Sequence, residues 1–330
     1  MLETTSLGVA ETAVARHHTY TLFSHLLLQG LTADLWPIVQ QVPELHSTLP
    51  PAPNFEETAV AHQTLFTFDI FPYESIFRDS SGLLGGDITE AVIHSYQAAG
   101  FYVQDDATSP DHIGHEMALL AFLCGAEADA WEDALPLVAR QMQTRQQEFL
   151  QQHVLTWFFP LALAVQQQGN AFYTAVFTLA ADLIIDHAQQ SGLPTETRFA
   201  LPDTPALLSN DKTSLKDIAA YLTNPVYSGF ALSRGDVARL ARAHKLPRGF
   251  GKRDLMLHNL LQAAAQYEML PTLLQTLLTL VEEWEMGYGR FAAQSAMLTP
   301  FLQPWQERIA ATKALLATMQ QHAAAVQPIS

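Results

Sequence analysis

Residues 11–30, ETAVARHHTYTLFSHLLLQG, contain the pattern that decides the fold class. Apolar side chains recur along this stretch at spacings of three and four, which is the period of a helix with one buried face. The spacing places four side chains on one side of that helix: Val14, Tyr20, Phe23 and Leu27. Gly30 then supplies a residue that tolerates the left-handed conformation in which many helices end. The stretch therefore predicts an amphipathic helix that ends at about Leu28.

The same spacing continues along most of the chain, and few segments alternate in the manner of a β-strand. Helix start signals separate the segments. Asn54 and Asn170 are suited to N-cap positions, and two Ser-x-x-Asp sequences, at 214–217 and 233–236, have the form of capping boxes. These signals predict an all-α protein, built as a helical bundle.

Several further boundaries follow from local signals alone. Ser109-Pro110-Asp111 combines an N-cap hydroxyl, a proline and a carboxylate in one turn, and predicts a helix that stops at Gly125. One helix each is predicted over residues 127–150 and 252–286. Loops are predicted where prolines or glycines interrupt the period, at residues 42–53 and 70–86.

The composition within residues 191–210 differs from that of the helical segments. This stretch is rich in Pro, Thr and Ser and has no helical period, so it is predicted to be a linker. The expected organisation is a helical domain over residues 1–190, the linker, and a C-terminal helical extension over residues 211–330.

The composition also bounds the class of protein. The 330 residues are 48 % hydrophobic and 15 % charged, which excludes a disordered chain and a long coiled coil. No apolar run reaches the length of a membrane span, and residues 1–10 lack the features of a signal peptide, so a cytoplasmic protein is expected. The single cysteine, Cys124, excludes an internal disulfide and any zinc site with several thiolates.

The charge is distributed unevenly along the chain. Residues 1–133 contain 19 Asp and Glu against two arginines, a net charge of −17, whereas residues 134–330 have a net charge of +1. The field of the first part would attract a ligand that contains Arg or Lys.

The first candidate site is the loop Phe71-Pro72-Tyr73-Glu74-Ser75-Ile76-Phe77-Arg78, which combines aromatic, acidic, hydroxyl and basic groups. Loops of this composition often form ligand surfaces. A structural alternative stays open, in which Tyr73 and Phe77 anchor the loop to the core and Glu74 pairs with Arg78 or caps a helix.

The second candidate is Pro110-Asp111-His112-Ile113-Gly114-His115-Glu116, at the predicted helix start. His112 and Glu116 lie four residues apart and share one helix face, as do Asp111 and His115. A helical metal-dependent hydrolase that uses these four side chains is one alternative function. The order of the residues does not match known zinc motifs, and Asp111 could simply favour the helix dipole.

The third candidate is the basic segment 234–253, which has seven Lys and Arg and one acid. Its helix–turn–helix pattern makes a nucleic-acid binder a further alternative, although a solvated face or one that docks onto the acidic first part is preferred. The chain has no P-loop, no dinucleotide fingerprint, no nucleophile elbow and no plausible catalytic cysteine. No catalytic residue, metal or cofactor is therefore expected.

The first two candidates, taken together, resemble the TorD/DmsD/NarJ family of redox-enzyme maturation chaperones. The resemblance covers about residues 11–190. The matching sequences are Thr64-Leu65-Phe66 through Phe71-Pro72-Tyr73-Glu74-Ser75, Pro110-Asp111-His112, Glu116-Met117-x-x-Leu120-x-Phe122-Leu123, Phe149-x-x-x-His153-x-x-x-Trp157 and Asn170-x-Phe172-Tyr173. Phe71 departs from the pattern, because many members have a proline there, and the chain beyond Asn210 exceeds the usual family length.

The resemblance implies a cytoplasmic, non-enzymatic chaperone. Such a protein binds the twin-arginine leader and the apo catalytic subunit of a DMSO-reductase-type molybdoenzyme, assists cofactor insertion and delays export. The implied partners are that subunit and its leader, without nucleic acid or membrane insertion, and a homodimer stays open. The peptide-binding residues expected from the matching motifs and their apolar neighbours are Tyr73, Glu74, Ser75, Phe77, Pro110, Asp111, His112 and Glu116.

Overall fold

A computed structural model describes residues 2–103, 107–192, 199–207 and 212–326 of the chain. Within these ranges the regular structure is helical, and the only β-type pairing is an isolated bridge between Tyr73 and His112. The all-α prediction is therefore confirmed. The helices are α1 (Leu2–Gln29), α2 (Trp36–Val39), α3 (Pro43–His46), α4 (Phe55–Gln63), α5 (Glu74–Arg78), α6 (Asp87–Ala99), α7 (Ile113–Glu132), α8 (Pro136–Phe149), α9 (Leu155–Gln166), α10 (Ala171–Ser191), α11 (Leu215–Thr223), α12 (Pro225–Ser228), α13 (Arg234–Ala243), α14 (Arg253–Gln266), α15 (Leu270–Gln294) and α16 (Thr299–Val326). Two π-helical segments, Thr64–Asp69 and Leu150–Val154, and the 3-10 helix Ala296–Leu298 complete the regular structure.

The chain divides into two compact units, which do not follow the chain order strictly. The first unit comprises Met1–Thr67, Phe71–Ile76 and Leu83–Thr197, and the second comprises Phe68–Ile70, Phe77–Gly82 and Arg198–Ser330. Two short pieces of the first half thus belong to the second unit. The predicted linker at 191–210 lies partly outside the described residues, at 193–198 and 208–210, and its residues 199–207 form no helix. The division at 190 and 211 stays a prediction.

The core of the first unit is built around the contact between α1 and α7. Glycines in α7 allow this close approach, because a Cβ atom at Gly114 would lie 2.5 Å from Leu28 Cγ, and one at Gly125 would lie 2.9 Å from His17 Nδ1. The prediction that Gly125 stops the helix is therefore wrong, since α7 continues to Glu132. Val14 was also misplaced, because it is exposed while its neighbour Ala13 is buried.

A chain of buried polar side chains ties four helices of this unit together. The Tyr20 hydroxyl lies 3.0 Å from His187 Nδ1, and His187 Nε2 lies 2.9 Å from Gln146 Oε1. Gln146 Nε2 in turn donates to Glu127 Oε2 at 2.8 Å. Burial, followed by the charge of Arg16, holds the pKa of His187 well below its usual value, so the ring is neutral and accepts on one nitrogen while it donates on the other. Because each of these groups has a partner, the network joins α1, α7, α8 and α10 without an uncompensated buried charge.

Several predicted boundaries are confirmed. Asn54 and Asn170 accept hydrogen bonds from backbone amides in the first turns of α4 and α10, and both capping boxes form, at Ser214 and Ser233. Gly30 has a φ of +77° at the end of α1, as its left-handed role requires. The loops predicted at 42–53 and 70–86 contain the short helices α3 and α5.

The two long helices predicted at 127–150 and 252–286 are each divided. The first is interrupted at Ala134 and the second at Glu268, and both residues have the positive φ angles of a left-handed turn. Pro136 and Pro271 lie in the first turns of the helices that follow, where a missing amide hydrogen does no harm. These prolines are the sequence signal that could have located both breaks.

The second unit is built around α11 with α14 and α15 with α16. The Tyr288 hydroxyl donates to Gly229 O at 2.8 Å, and a Cβ atom at Gly229 would lie 2.8 Å from Ile309 N. The two pieces of the first half are held by specific contacts. Gly235 N donates to Asp69 Oδ1 at 3.0 Å, Asn224 Nδ2 donates to Ser80 O at 2.9 Å, and the Arg78 guanidinium lies 5.5 Å from the centre of the Phe199 ring.

One helix of the chain, α10, is long and apolar enough to cross a membrane by length and composition. Half of its most apolar window is buried inside the protein, as is usual for a core helix of a globular unit.

Candidate functional site

The two predicted loops meet through their backbones. Glu74 N donates to Asp111 O at 2.9 Å and Ile113 N donates to Pro72 O at 3.0 Å, on either side of the bridge between Tyr73 and His112. The tertiary structure therefore brings together two motifs that lie far apart in the sequence.

The Asp111 side chain stabilises the junction, which is the contact between the loops at 71–78 and 110–116. This side chain is fully buried, with Oδ2 accepting from Ser75 N at 2.9 Å and Oδ1 accepting from Ser109 Oγ at 2.5 Å. The predicted helix start at Ser109-Pro110-Asp111 is wrong. The helix begins at Ile113, and His112 is its N-cap, whose Nδ1 accepts from Gly114 N at 3.0 Å. Asp111 thus supports the opposite loop and does not lie in the first turn of the helix.

Glu74 is also fully buried, and it pairs with a histidine of a third segment. Glu74 Oε2 lies 2.9 Å from His153 Nδ1, and His153 Nε2 lies 3.0 Å from Ser95 Oγ on α6. His153 belongs to the π-helical segment Leu150–Val154, a type of helical distortion that is frequent at functional sites. The Arg78 guanidinium lies 5.5 Å from the centre of the Phe199 ring, in the second unit.

Glu116 lies against Glu74 in the same buried cluster. Trp157 Nε1 donates to Glu116 Oε2 at 3.2 Å, and the carboxyl group of Glu74 is near enough to affect the pKa of Glu116. Burial raises the pKa of Glu116 well above its usual value, and the charges of Glu74 and Asp111 raise it further. The raised pKa favours the protonated form of Glu116, which lowers the repulsion between neighbouring carboxyl groups.

Two further polar groups of the junction, His112 and Tyr96, are neutral. Burial, followed by the proximity of His115 and His62, lowers the pKa of His112 to about 3. The Tyr96 hydroxyl donates to Pro110 O at 2.8 Å, and burial together with the charges of Glu116, Glu74 and Asp111 raises its pKa. A ring contact of 5.0 Å between Tyr73 and His112 covers the bridge between the loops.

The alternative of a metal-dependent hydrolase gains no support from this geometry. In the described parts of the chain, no group of three or more His, Cys, Asp or Glu side chains is placed to hold a metal ion. Asp111 and His112 instead use their side chains to bind backbone amides of Ser75 and Gly114.

Exposure separates the expected peptide-binding residues into two groups. Tyr73 and Pro110 are half-buried and reach the surface. The others are buried: Glu74, Ser75, Phe77, Asp111, His112 and Glu116. Phe77 belongs to the second unit, whereas the other residues belong to the first.

Four residues of the site, Ser95, Tyr96, His153 and Trp157, were not among those expected from the sequence. His153 and Trp157 are part of the Phe-x-x-x-His-x-x-x-Trp sequence noted above, and their spacing of four was the signal that both project from one helical face. For Ser95 and Tyr96 the sequence has no comparable signal.

A groove of about 560 Å³ lies beside this cluster, between α6, α7 and α8. Its apolar lining includes Leu119, Leu123 and Phe149, and its polar lining includes Arg145 and Glu148. Ser95 also lines the groove, so the hydrogen-bonded chain from Glu74 through His153 ends at its wall.

Comparison with known families identifies one match. Residues 36–162, less than half of the chain, match the family model described as nitrate reductase delta subunit. That family consists of maturation chaperones for molybdoenzymes and not of enzymes, which confirms the expectation of a non-enzymatic role. The matched residues include both loops, His153 and Trp157. Neither the curated proteins nor the solved structures contain a match to the chain.

Proposed function

We propose that this protein is a cytoplasmic chaperone for the catalytic subunit of a DMSO-reductase-type molybdoenzyme. It binds the twin-arginine leader and the apo subunit, assists cofactor insertion and delays export. The observation that carries the proposal is the family match over residues 36–162, which contains the complete junction of the two loops.

The geometry favours two different roles for the residues of the expected site. Tyr73 and Pro110 reach the surface and contact the leader. The buried members Glu74, Ser75, Asp111, His112 and Glu116 hold the two loops in the conformation that presents those contacts. Fully buried carboxylates, already bonded to Ser75 N and His153, act on the leader's arginines through the loops and not by direct pairing.

The groove between α6, α7 and α8 supplies the second property that such a receptor needs. A twin-arginine leader continues from its basic pair into an apolar stretch, for which Leu119, Leu123 and Phe149 provide an apolar lining. The net charge of −17 over residues 1–133 attracts the basic pair over a longer distance.

Calorimetric titration with a twin-arginine leader peptide, at low and at moderate salt, tests the proposal. We expect saturable binding that is weakened by salt and by replacement of the arginine pair with lysines, with a negative heat-capacity change from apolar burial. A series of different leaders that all fail to bind would remove the leader from the proposal.

The two roles, leader contact and support of the loops, are tested by two variants in the same titration. Tyr73→Ala should weaken leader binding at an unchanged melting temperature, whereas Asp111→Ala should lower the melting temperature because it leaves Ser75 N without its buried acceptor. Tyr102→Ala, which changes an exposed tyrosine outside both loops, is the matched control. If Tyr73→Ala binds like the control, Tyr73 is not a contact residue.

A further inference from the structure

The turn between α13 and α14, Pro247-Arg248-Gly249-Phe250-Gly251, presents an aromatic side chain to solvent. Phe250 is 90 % exposed, the most exposed of the large apolar side chains in the described chain. The backbone of the turn is packed. A Cβ atom at Gly249 would lie 3.2 Å from Met256 Cα, and Gly251, at φ +111°, approaches Leu255 so closely that a Cβ atom would lie 3.1 Å from Leu255 Cδ2. Phe250 is therefore carried by a turn whose backbone is packed on both sides of it.

Basic side chains surround this turn. The exposed cationic residues of the two helices and the turn are Arg234, Arg239, Arg242, Lys245, Arg248 and Lys252. Two acids lie among these residues. Asp236 is buried in the capping box of α13 and also pairs with Arg239, and Asp254 lies in the first turn of α14. The basic turn, defined as Lys245–Leu255, contains four Lys and Arg against Asp254, a net charge of +3, and has a hydrophobic tip, on a protein whose net charge is −16.

We propose that the basic turn docks reversibly onto an anionic lipid surface. A phenylalanine at a convex tip can enter the boundary between lipid headgroups and acyl chains, while the cations beside it pair with anionic headgroups. Leu255, on the first turn of α14, is 48 % exposed and adds apolar area beside the tip. This is peripheral docking, independent of leader binding.

The chemistry of the tip favours lipid over the other anionic partners. Single-stranded nucleic acid is bound by successive aromatic side chains on which bases stack, whereas the basic turn has one. An acidic protein would be held by the charges alone, and the fully exposed phenyl ring would have no necessary role in that contact. A lipid surface uses both features at once.

Sedimentation of the full chain with vesicles tests the proposal. We expect binding to vesicles that contain about 30 % anionic phosphatidylglycerol, little binding to phosphatidylcholine alone, and loss of binding between about 50 and about 300 mM salt. Phe250→Ser should weaken vesicle binding about tenfold, because it removes the apolar group that enters the membrane. Each of Arg248→Ser and Lys252→Ser should weaken it about fivefold.

Tyr267→Ser is the matched control, because Tyr267 is an exposed aromatic residue of the same unit outside the basic turn. It should leave vesicle binding unchanged, and the melting temperatures of all four variants should match that of the parent. Equal binding by Phe250→Ser and by the parent protein would overturn the proposal. So would absence of vesicle binding, or equally tight, salt-sensitive binding of polyglutamate or single-stranded DNA, which would assign the surface to a protein or nucleic-acid partner.

Discussion

Glu74 and Glu116 show how much the surroundings of a single residue decide its role. Glutamate is rarely buried unless it has a partner, and both side chains are fully buried here, each with a hydrogen-bond partner. Their partners, His153 and Trp157, lie four residues apart, which is about one helical turn. The bonds from Ser75 N to the Asp111 carboxylate and from Glu74 N to Asp111 O form only when the two loops are joined, which explains why Tyr-Glu-Ser and Asp-His lie in contact.

Removal of the Glu74 carboxylate should destabilise the first unit. Glu74→Ala leaves His153 Nδ1 without its buried partner, which is expected to lower the free energy of unfolding by about 1–3 kcal/mol. Glu74→Gln keeps an oxygen acceptor and should lose less. Urea unfolding measures both, with Glu90→Ala, an exposed glutamate of α6, as the control. Equal losses for Ala and Gln would mean that the bond to His153 contributes nothing.

The raised pKa of Glu116 makes stability depend on pH. Because the pKa is higher in the folded than in the unfolded state, the contribution of Glu116 is complete below its unfolded value of 4.5 and is lost as the pH rises through the folded pKa. Glu116→Gln mimics the protonated form and still accepts from Trp157. Its melting temperature should therefore exceed that of the parent by a margin that grows from pH 5 towards the folded pKa. Parallel melting curves across this range would contradict the assignment of the proton to Glu116.

At the scale of elements, helix α7 was placed incorrectly at both ends by its local signals. Pro110 and Asp111 are good helix starters, but the Asp111 carboxylate is used by Ser75 N. Gly125 is a good helix stop, but it is one of the positions at which α1 lies close to the α7 backbone, near His17. Local propensity was overridden in both places by packing between segments distant in the sequence.

Two helical glycines should respond to alanine with opposite signs. At Gly114 a Cβ atom would overlap Leu28 Cγ at 2.5 Å, so Gly114→Ala should destabilise by about 1–3 kcal/mol, despite the better helix propensity of alanine. Gly289 in α15 is exposed and has no heavy atom within 4 Å of that position. Gly289→Ala should therefore stabilise by about 0.5–1 kcal/mol. Calorimetric unfolding compares the two, and a stabilised Gly114→Ala would show that α1 can move away from α7 at low cost.

At the scale of the whole molecule, the unit boundaries pass through the site motif. Phe71–Ile76 belong to the first unit, whereas Phe77 and Arg78 belong to the second, with the contact between Arg78 and Phe199. The second unit therefore includes Phe77 and Arg78, although these residues closely follow the Tyr73-Glu74-Ser75 motif in the sequence.

The contact between Phe199 and Arg78 should protect the chain from trypsin. Arg16 and Arg78 are the only basic residues in the first 133, so cleavage in this region is simple to assign by mass spectrometry. Phe199→Ala removes the ring beneath the guanidinium and should accelerate cleavage after Arg78, whereas Phe199→Tyr keeps the ring and should not. If both variants are cleaved at the same rate, the ring does not restrain Arg78.

The sequence by itself determined the helical class, four helix N-caps and the motifs on which the family resemblance rests. These features depend on periodicity and on groups within a few residues of one another, such as Asn54, Asn170 and the two capping boxes. The candidate loops were located in the same way, because each is recognised from the residue types of a few consecutive positions.

The tertiary structure alone decided which of those residues reach solvent and what each carboxylate binds. Glu74, Asp111 and Glu116 were expected among the peptide-binding residues, but their partners in the fold are His153, the amide of Ser75 and Trp157. Burial and pairing depend on segments dozens of residues apart, and no local pattern encodes them. For the same physical reason, only the fold showed that Phe77 belongs to the second unit and that glycines of α7 lie against α1.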